Sequence, residues 1–315
     1  MSDQFLPDLI RLTNISGFDN RSNDVVYCRP STNVENPNVC VFFGGDVQDF
    51  TENMLSHRDN KNHVQWNLEN TAKLLQHSFV DSHIVVVRPV RMEYRTFSCY
   101  ENFVQCTHCG VPEHLPMYNG LQHLEELLHN VSVKIQNMTE QELNDSVQIA
   151  KNGLVDGTNS PQNAANIPTR NTLNLDECNV TLVGFSKGCV VLNQFLYEFD
   201  YYSSNAVATN LKIIPKIREM YWLDGGHSGG KNTWMTSANL LESIAKLGIR
   251  IMVHVTPYQI EDERRPWIKK EEKLFSDTLK KLGVPIRRIV HFDDIPASIQ
   301  NHFNVLNVFK SADNS

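Results

Sequence analysis

Residues 184–188 read Gly-Phe-Ser-Lys-Gly, a G-x-S-x-G pattern between the apolar runs "NVTLV" and "CVVLNQFLYEF". The run before it has the β-branched character of a buried strand, and the run after it changes to helical spacing. In that setting the serine occupies a sharp, strained turn that lifts its hydroxyl over a sheet edge. The flanking glycines are required because a side chain at either position would collide with the neighbouring strand or helix. The chemistry would be nucleophilic: Ser186 attacks a carbonyl, and the helix N-terminus favours the oxyanion that forms. A three-residue pattern of small side chains also arises by chance, with the serine merely capping a helix. The strand–turn–helix context is what favours the nucleophile.

A serine hydroxyl needs a base at neutral pH. In a sheet of this kind the order is Ser, then Asp or Glu, then His, each on a loop after a later strand. His291 lies inside the strand-like "RRIVHF", where it would pack or pair structurally, whereas His302 follows in "SIQNHFNVL". His302 is the expected base. For the acid, Asp224 ends "MYWLDGG", where glycines permit a sharp turn; Asp262 in "TPYQIEDERRP" stands after the next strand but about seven residues beyond it. Asp293 and Asp294 would reverse the order. Asp224 is preferred and Asp262 stays open, since either could form only an Asx turn. The oxyanion would take the backbone N–H of Lys187 and a second donor, Gly45 or Asp46, from the early loop "FFGGD".

These residues need a scaffold that brings positions more than a hundred residues apart to one edge. "NVCVFF" from Asn38 and "SHIVVV" from Ser82 read as buried strands with the helical "HVQWNLENTAKLLQHSF" between them. Residues 91–118 are irregular and rich in Cys, His and aromatics, and "NGLQHLEELLHNVSVKI" is helical. Residues 152–175 hold Gly, Pro, Asn, Ser and Thr without periodicity, as an exposed loop would. From Asn179 onward strands and helices alternate: "IREMYWL", "IRIMVHV" and "PIRRIVHF" are strands, and "PWIKKEEKLFSDTLKKLG" is a helix opened by Pro266 and closed by Gly283. The alternation predicts an α/β fold with a mostly parallel sheet and helices on both faces. No linker divides the chain, so residues 1–315 are expected to form one domain with loop or cap insertions near 91–118 and 152–175.

A formal net charge of -7 argues against a general nucleic-acid binder, which needs a basic face. No apolar stretch approaches the roughly 20 residues of a membrane span. Seven cysteines, an odd number with several in apolar runs, suit a reducing compartment. The start "MSDQFLPDLIRL" has neither a signal-peptide core nor an Arg-rich, acid-poor leader, which by itself predicts a cytoplasmic protein.

The segments "GFSKGCVVLNQ", "MYWLDGGHSGGKNTW", "HVTPYQ" and "SIQNHF" together resemble an animal family of serine-hydrolase type. Its vertebrate member is mitochondria-associated and takes its name from an open reading frame on chromosome 2. The resemblance runs from about residue 38 to residue 309. It implies an α/β-hydrolase fold and a lipase- or esterase-like site falling on Ser186 and His302, leaves the acid open between Asp224 and Asp262, and makes a mitochondrial location an alternative to the cytoplasm.

Other clusters are weaker. "CTHC" at 106–109 is half of a zinc pattern, but the second pair is missing, so no metal and no cofactor is expected. "GGHSGGKNTW" at 225–234 lacks phosphate-loop spacing and suits a substrate-site loop, where His227 would touch ligand or cap a turn. "KKEEK" at 269–273 reads as a solvated helix face. The function expected is hydrolysis of an acyl ester or thioester through an acyl-enzyme. The apolar 91–118 insertion suggests a lid and a lipid-like substrate. The alternative is an inactive hydrolase fold serving as a binding or regulatory module.

Overall fold

The structure, a computed structural model, describes residues 5–108, 110–155, 169–204 and 211–311. Eight strands form the central sheet: β1 (Leu9–Ser16), β2 (Ser22–Cys28), β3 (Asn38–Phe43), β4 (Ser82–Val87), β5 (Val180–Phe185), β6 (Ile217–Leu223), β7 (Arg250–Val255) and β8 (Ile286–Val290). Their order is β1-β2-β4-β3-β5-β6-β7-β8. The β1–β2 and β2–β4 pairings are antiparallel and the remaining five are parallel. This is the α/β-hydrolase arrangement that the alternation and the resemblance predicted.

Both faces of the sheet are covered, as parallel strands without a solvent face require. Along β3 the two-residue period sends Val39, Val41 and Phe43 into one apolar core and Cys40 and Phe42 into the other. The first core is closed by helices α2 (Gly120–Asn137), α4 (Cys189–Ser204), α5 (Ala238–Ala245) and α6 (Trp267–Lys281). The second is closed by α1 (Leu68–Ser78) and α7 (Ile299–Val308), through Leu68, Ala72, Leu75, Phe303 and Leu306. Helix α3 (Glu140–Gly153), opened by a Thr139–Glu142 capping box, lies along the edge strand β1.

Several elements differ from the sequence reading. Strands β1 and β2 were not evident, because "LIRLTNIS" and "SNDVVYC" mix polar and apolar residues without clean alternation. The expected helix from His63 is interrupted: Asn67 caps α1 by accepting from the Asn70 N–H, and a tight 3-10 turn precedes it. Residues 91–118 contain two short hairpins, Arg91–Glu93 with Phe97–Cys99 and Gln105–Cys106 with Pro112–Glu113. Tyr100, Phe103 and Val104 from this insertion are buried in the first core, so its apolar residues hold it down rather than furnish a free lid. Of the loop expected at 152–175, residues 156–168 lie outside the described residues. The "KKEEK" stretch is solvated only at Lys269, Lys270 and Lys273: Glu272 is fully buried and receives both Arg288 Nε and Nη2 at 2.8 Å, and Glu271 accepts three backbone N–H groups from residues 232–234.

Candidate active site

Strand β5 ends at Phe185, and a single 3-10 turn over Ser186–Gly188 leads into α4. Ser186 takes φ +51°, a left-handed conformation that costs a non-glycine residue about 1–3 kcal/mol and persists only where packing enforces it. Packing is tight here: a Cβ on Gly188 would stand 1.9 Å from the Phe43 carbonyl oxygen, so only glycine lets the turn lie against β3.

The corner after β6 is strained in the same way. Asp224 has φ +47° and is fully buried. Its N–H donates to the His254 carbonyl at 2.7 Å, and its carboxylate accepts the Thr256 N–H at 2.7 Å and the Thr256 hydroxyl at 2.6 Å. Those donors satisfy the carboxylate oxygens in a dry position. His302 enters from the first turn of α7, four residues past the Ser298 cap. Its Nδ1 donates to Asp224 Oδ2 at 2.6 Å, which leaves Nε2 to accept from Ser186 Oγ at 3.0 Å. Phe185 and Tyr258 rings lie 4.7 and 4.8 Å from the imidazole and fix its plane. Ser186 is 8% exposed and His302 5%, so both side chains are almost enclosed by protein.

The competing residues stand apart. Asp262 is gripped by its own loop, accepting from the Arg264 N–H at 2.9 Å and from Arg265 Nε at 2.9 Å. The Arg265 hydrogen bond, above all, holds its pKa at about 2. His291, just past β8, shares a 2.8 Å hydrogen bond with His254 Nδ1, and burial lowers its pKa.

The early loop is tied to the 91–118 insertion. Tyr100 OH donates to the Gly44 carbonyl at 3.0 Å, Ser98 Oγ to the Gly45 carbonyl at 2.6 Å, and the Ser98 N–H to Asp46 Oδ1 at 2.8 Å. One of the expected oxyanion donors is thereby corrected. The Gly45 N–H donates to Gln48 Oε1 at 2.9 Å, and Gln48 is itself anchored to Trp66 O and Thr71 Oγ1, so Gly45 has no free donor. The backbone N–H groups of Asp46 and Lys187 make no hydrogen bond within the described residues. Burial pushes the Asp46 carboxyl up, opposed by the Lys187 ammonium and then the Ser98 N–H. Thr256 and Gln48 were not found by sequence reasoning. Thr256 stands directly after β7, a position that could have drawn attention to it.

His227 does not face a ligand: Nδ1 accepts the Gly229 N–H at 2.9 Å, Nε2 donates to the Asn232 carbonyl at 3.1 Å, and the ring braces its own loop. Cys109 lies outside the described residues, and burial pushes the Cys106 thiol up to about 12. Among the described residues no group of three or more His, Cys, Asp or Glu is arranged to hold a metal ion. No helix among them is long and apolar enough to cross a membrane.

Comparison with known proteins places the chain. Brefeldin A esterase, a bacterial homologue of human hormone-sensitive lipase, aligns with a TM-score of 0.41 and 12% identity over 97% of this chain and 73% of its own. Acyl-protein thioesterase 2 of Zea mays aligns at 0.39 and 13% over 90% and 95%. Values this low bear on no individual residue of the site. The sequence relatives are nearer. Mitochondrial protein C2orf69 homolog of Mus musculus is 38% identical over 322 residues, covering 95% of this chain and 86% of that protein. Mitochondrial protein C2orf69 of Homo sapiens is 40% identical over 285 residues, covering 85% and 73%. These names lend no support to the cytoplasmic expectation. The C2orf69 family profile matches residues 11–285, and the chain belongs to the C2orf69 family.

Proposed function

We propose that this protein is a serine hydrolase of esterase or thioesterase type, with Ser186 as nucleophile, His302 as general base and acid, and Asp224 as the residue that orients His302. The reading rests on one observation: the His302 ring bridges Ser186 Oγ at 3.0 Å and a buried, doubly donated Asp224 carboxylate at 2.6 Å. In the proposed reaction Ser186 Oγ bonds to the substrate carbonyl carbon as its proton passes to His302 Nε2. Asp224 stabilises the imidazolium. The N–H groups of Lys187 and Asp46 are the oxyanion donors in this reading, two such donors supplying the main electrostatic stabilisation. Collapse of the adduct expels the alcohol or thiol, which takes the proton from His302. Water then attacks the acyl-enzyme by the same route and regenerates Ser186. We place this activity in the mitochondrion on the names of the relatives.

The low exposure of Ser186 favours a second reading, an inactive hydrolase fold acting as a binding or regulatory module. A fluorophosphonate probe separates the two. Labelling of the folded protein that disappears in Ser186→Ala supports the hydrolase. Absence of labelling in folded wild-type protein overturns it.

A further inference from the structure

Lys187 is the one residue of the proposed site whose side chain has no evident use. It is 1% exposed, yet its ammonium has neither a hydrogen-bond nor an ion-pair partner among the described residues. Buried lysines are normally paired, because removing an ammonium from water is costly unless an anion or several acceptors replace the hydration. Asp46 acts on it only through space, without a direct contact. Its Nζ lies 3.6 Å from the point where a Gly110 Cβ would stand, and Cys99 Sγ lies 2.8 Å from that same point. A side chain at Gly110 would collide with Cys99 Sγ, so only backbone lies beside the ammonium there.

The neighbouring polar groups are engaged elsewhere. Both His227 nitrogens serve the 225–234 loop. Cys99 Sγ turns to the Phe97 carbonyl. Asp46, the acid whose charge Lys187 offsets, accepts the Ser98 N–H and forms no direct ion pair with Lys187 among the described residues. Lys187 also follows the nucleophile directly in sequence, which keeps its ammonium within one side-chain length of the Ser186 turn. Tyr100, Phe103 and Val104, the apolar residues of the covering insertion, face the core and do not line a greasy channel.

We infer that the substrate of this site carries an anionic group, a carboxylate or a phosphate, within a lysine's reach of the scissile carbonyl, and that Lys187 Nζ binds it. The inference rests on the hydrolase reading and replaces a lipid-like substrate with a charged acyl ester or thioester. The anion completes the pairing that the fold leaves open. Lys187 is then a specificity residue through its side chain as well as an oxyanion donor through its backbone.

The test compares para-nitrophenyl hexanoate with the length-matched half-ester of adipate and with the ester of 5-phosphonopentanoate. A charge-assisted contact of this kind predicts a kcat/KM for the better anionic ester about tenfold or more above the neutral one. The larger of the two ratios identifies the anion. In Lys187→Met and Lys187→Gln the ratio should fall towards one, chiefly through KM, and Lys187→Arg should retain part of it. Equal rates for charged and neutral esters in wild type, or a preference that survives in both variants, overturns the inference while leaving the hydrolase intact. Calorimetric titration with monomethyl adipate and methyl phosphonate covers the case in which no ester is cleaved: binding lost in Lys187→Met sustains the anion site without the hydrolase. No binding at millimolar concentration of either anion sinks it.

Discussion

Two acidic corners lie after neighbouring strands, and their fates differ. Asp224, after β6, is fully buried, strained and shared between Thr256 and His302. Asp262, beyond β7, sits in an arginine clasp at the surface, two to three residues from both of its partners. Each carboxylate has good hydrogen bonds, so saturation of the acid does not distinguish them. The partner does: the Asp262 contacts are local and end where they begin, whereas Asp224 passes its orientation to an imidazole 78 residues away in sequence. A carboxylate acts in catalysis only through what it orients.

The comparison is sharpest at the histidine. In the proposed hydrolase, His302→Ala should reduce kcat/KM by up to about a million-fold, as loss of a triad base does. His291→Ala, which removes only the partner of His254, should leave turnover within an order of magnitude, and the reverse result would reassign the base. Asp224→Asn comes next, with a loss of about 10⁴ in kcat from the wrong imidazole tautomer. Steady-state kinetics on any cleavable ester reads both.

Acid should separate the two corners physically. Burial lowers His83 and His227 to about 4 and His123 and His254 to about 3, against an ordinary value of 6.5. Below 6.5 the unfolded chain takes up protons that the folded one refuses, so this stability is complete above that pH and is lost progressively towards 3–4. Each such histidine contributes about 1.4 kcal/mol per pH unit across its window. His254, whose carbonyl holds the Asp224 N–H, is among them, and the Asp224 corner should weaken with the fold. Asp262, held at about 2, keeps its clasp until the pH approaches that value. Urea midpoints measured between pH 7 and pH 4 should fall steeply, and a flat profile would contradict the buried neutral histidines.

Thr256→Val removes one donor from the Asp224 carboxylate and should lower kcat about tenfold, the worth of one hydrogen bond to a charged group, with little change in KM. Asp262→Asn should be the smallest effect, within about twofold in kcat/KM, as for a surface change of some 0.5 kcal/mol. A loss there comparable to that in Asp224→Asn would erase the distinction between the corners.

What could be read in advance follows from the range of the forces involved. The inner parallel strands were legible because burial on both faces makes them short, largely apolar runs, whereas β8 at the edge keeps Arg287 and Arg288 exposed. Strands β1 and β2 were not, because an antiparallel edge tolerates mixed residues and its register is set by partners far along the chain. The order Ser, Asp, His came from the fold's topology, but the competition between Asp224 and Asp262 turned on distances that no spacing contains. The same holds for Gly45: two adjacent glycines promise an approachable backbone, and only the buried Gln48 side chain shows that one N–H is already bonded.

By itself the sequence determined the layered fold and the strained elbow at Ser186, because apolar period, glycine placement and turn chemistry act over a few residues. The tertiary structure decided which carboxylate meets His302, and, among the described residues, which backbone donor stays free and that the Lys187 side chain, 1% exposed, has no hydrogen-bond or ion-pair partner. Those outcomes depend on groups brought together from separate loops, where tenths of an ångström decide whether a hydrogen bond exists at all.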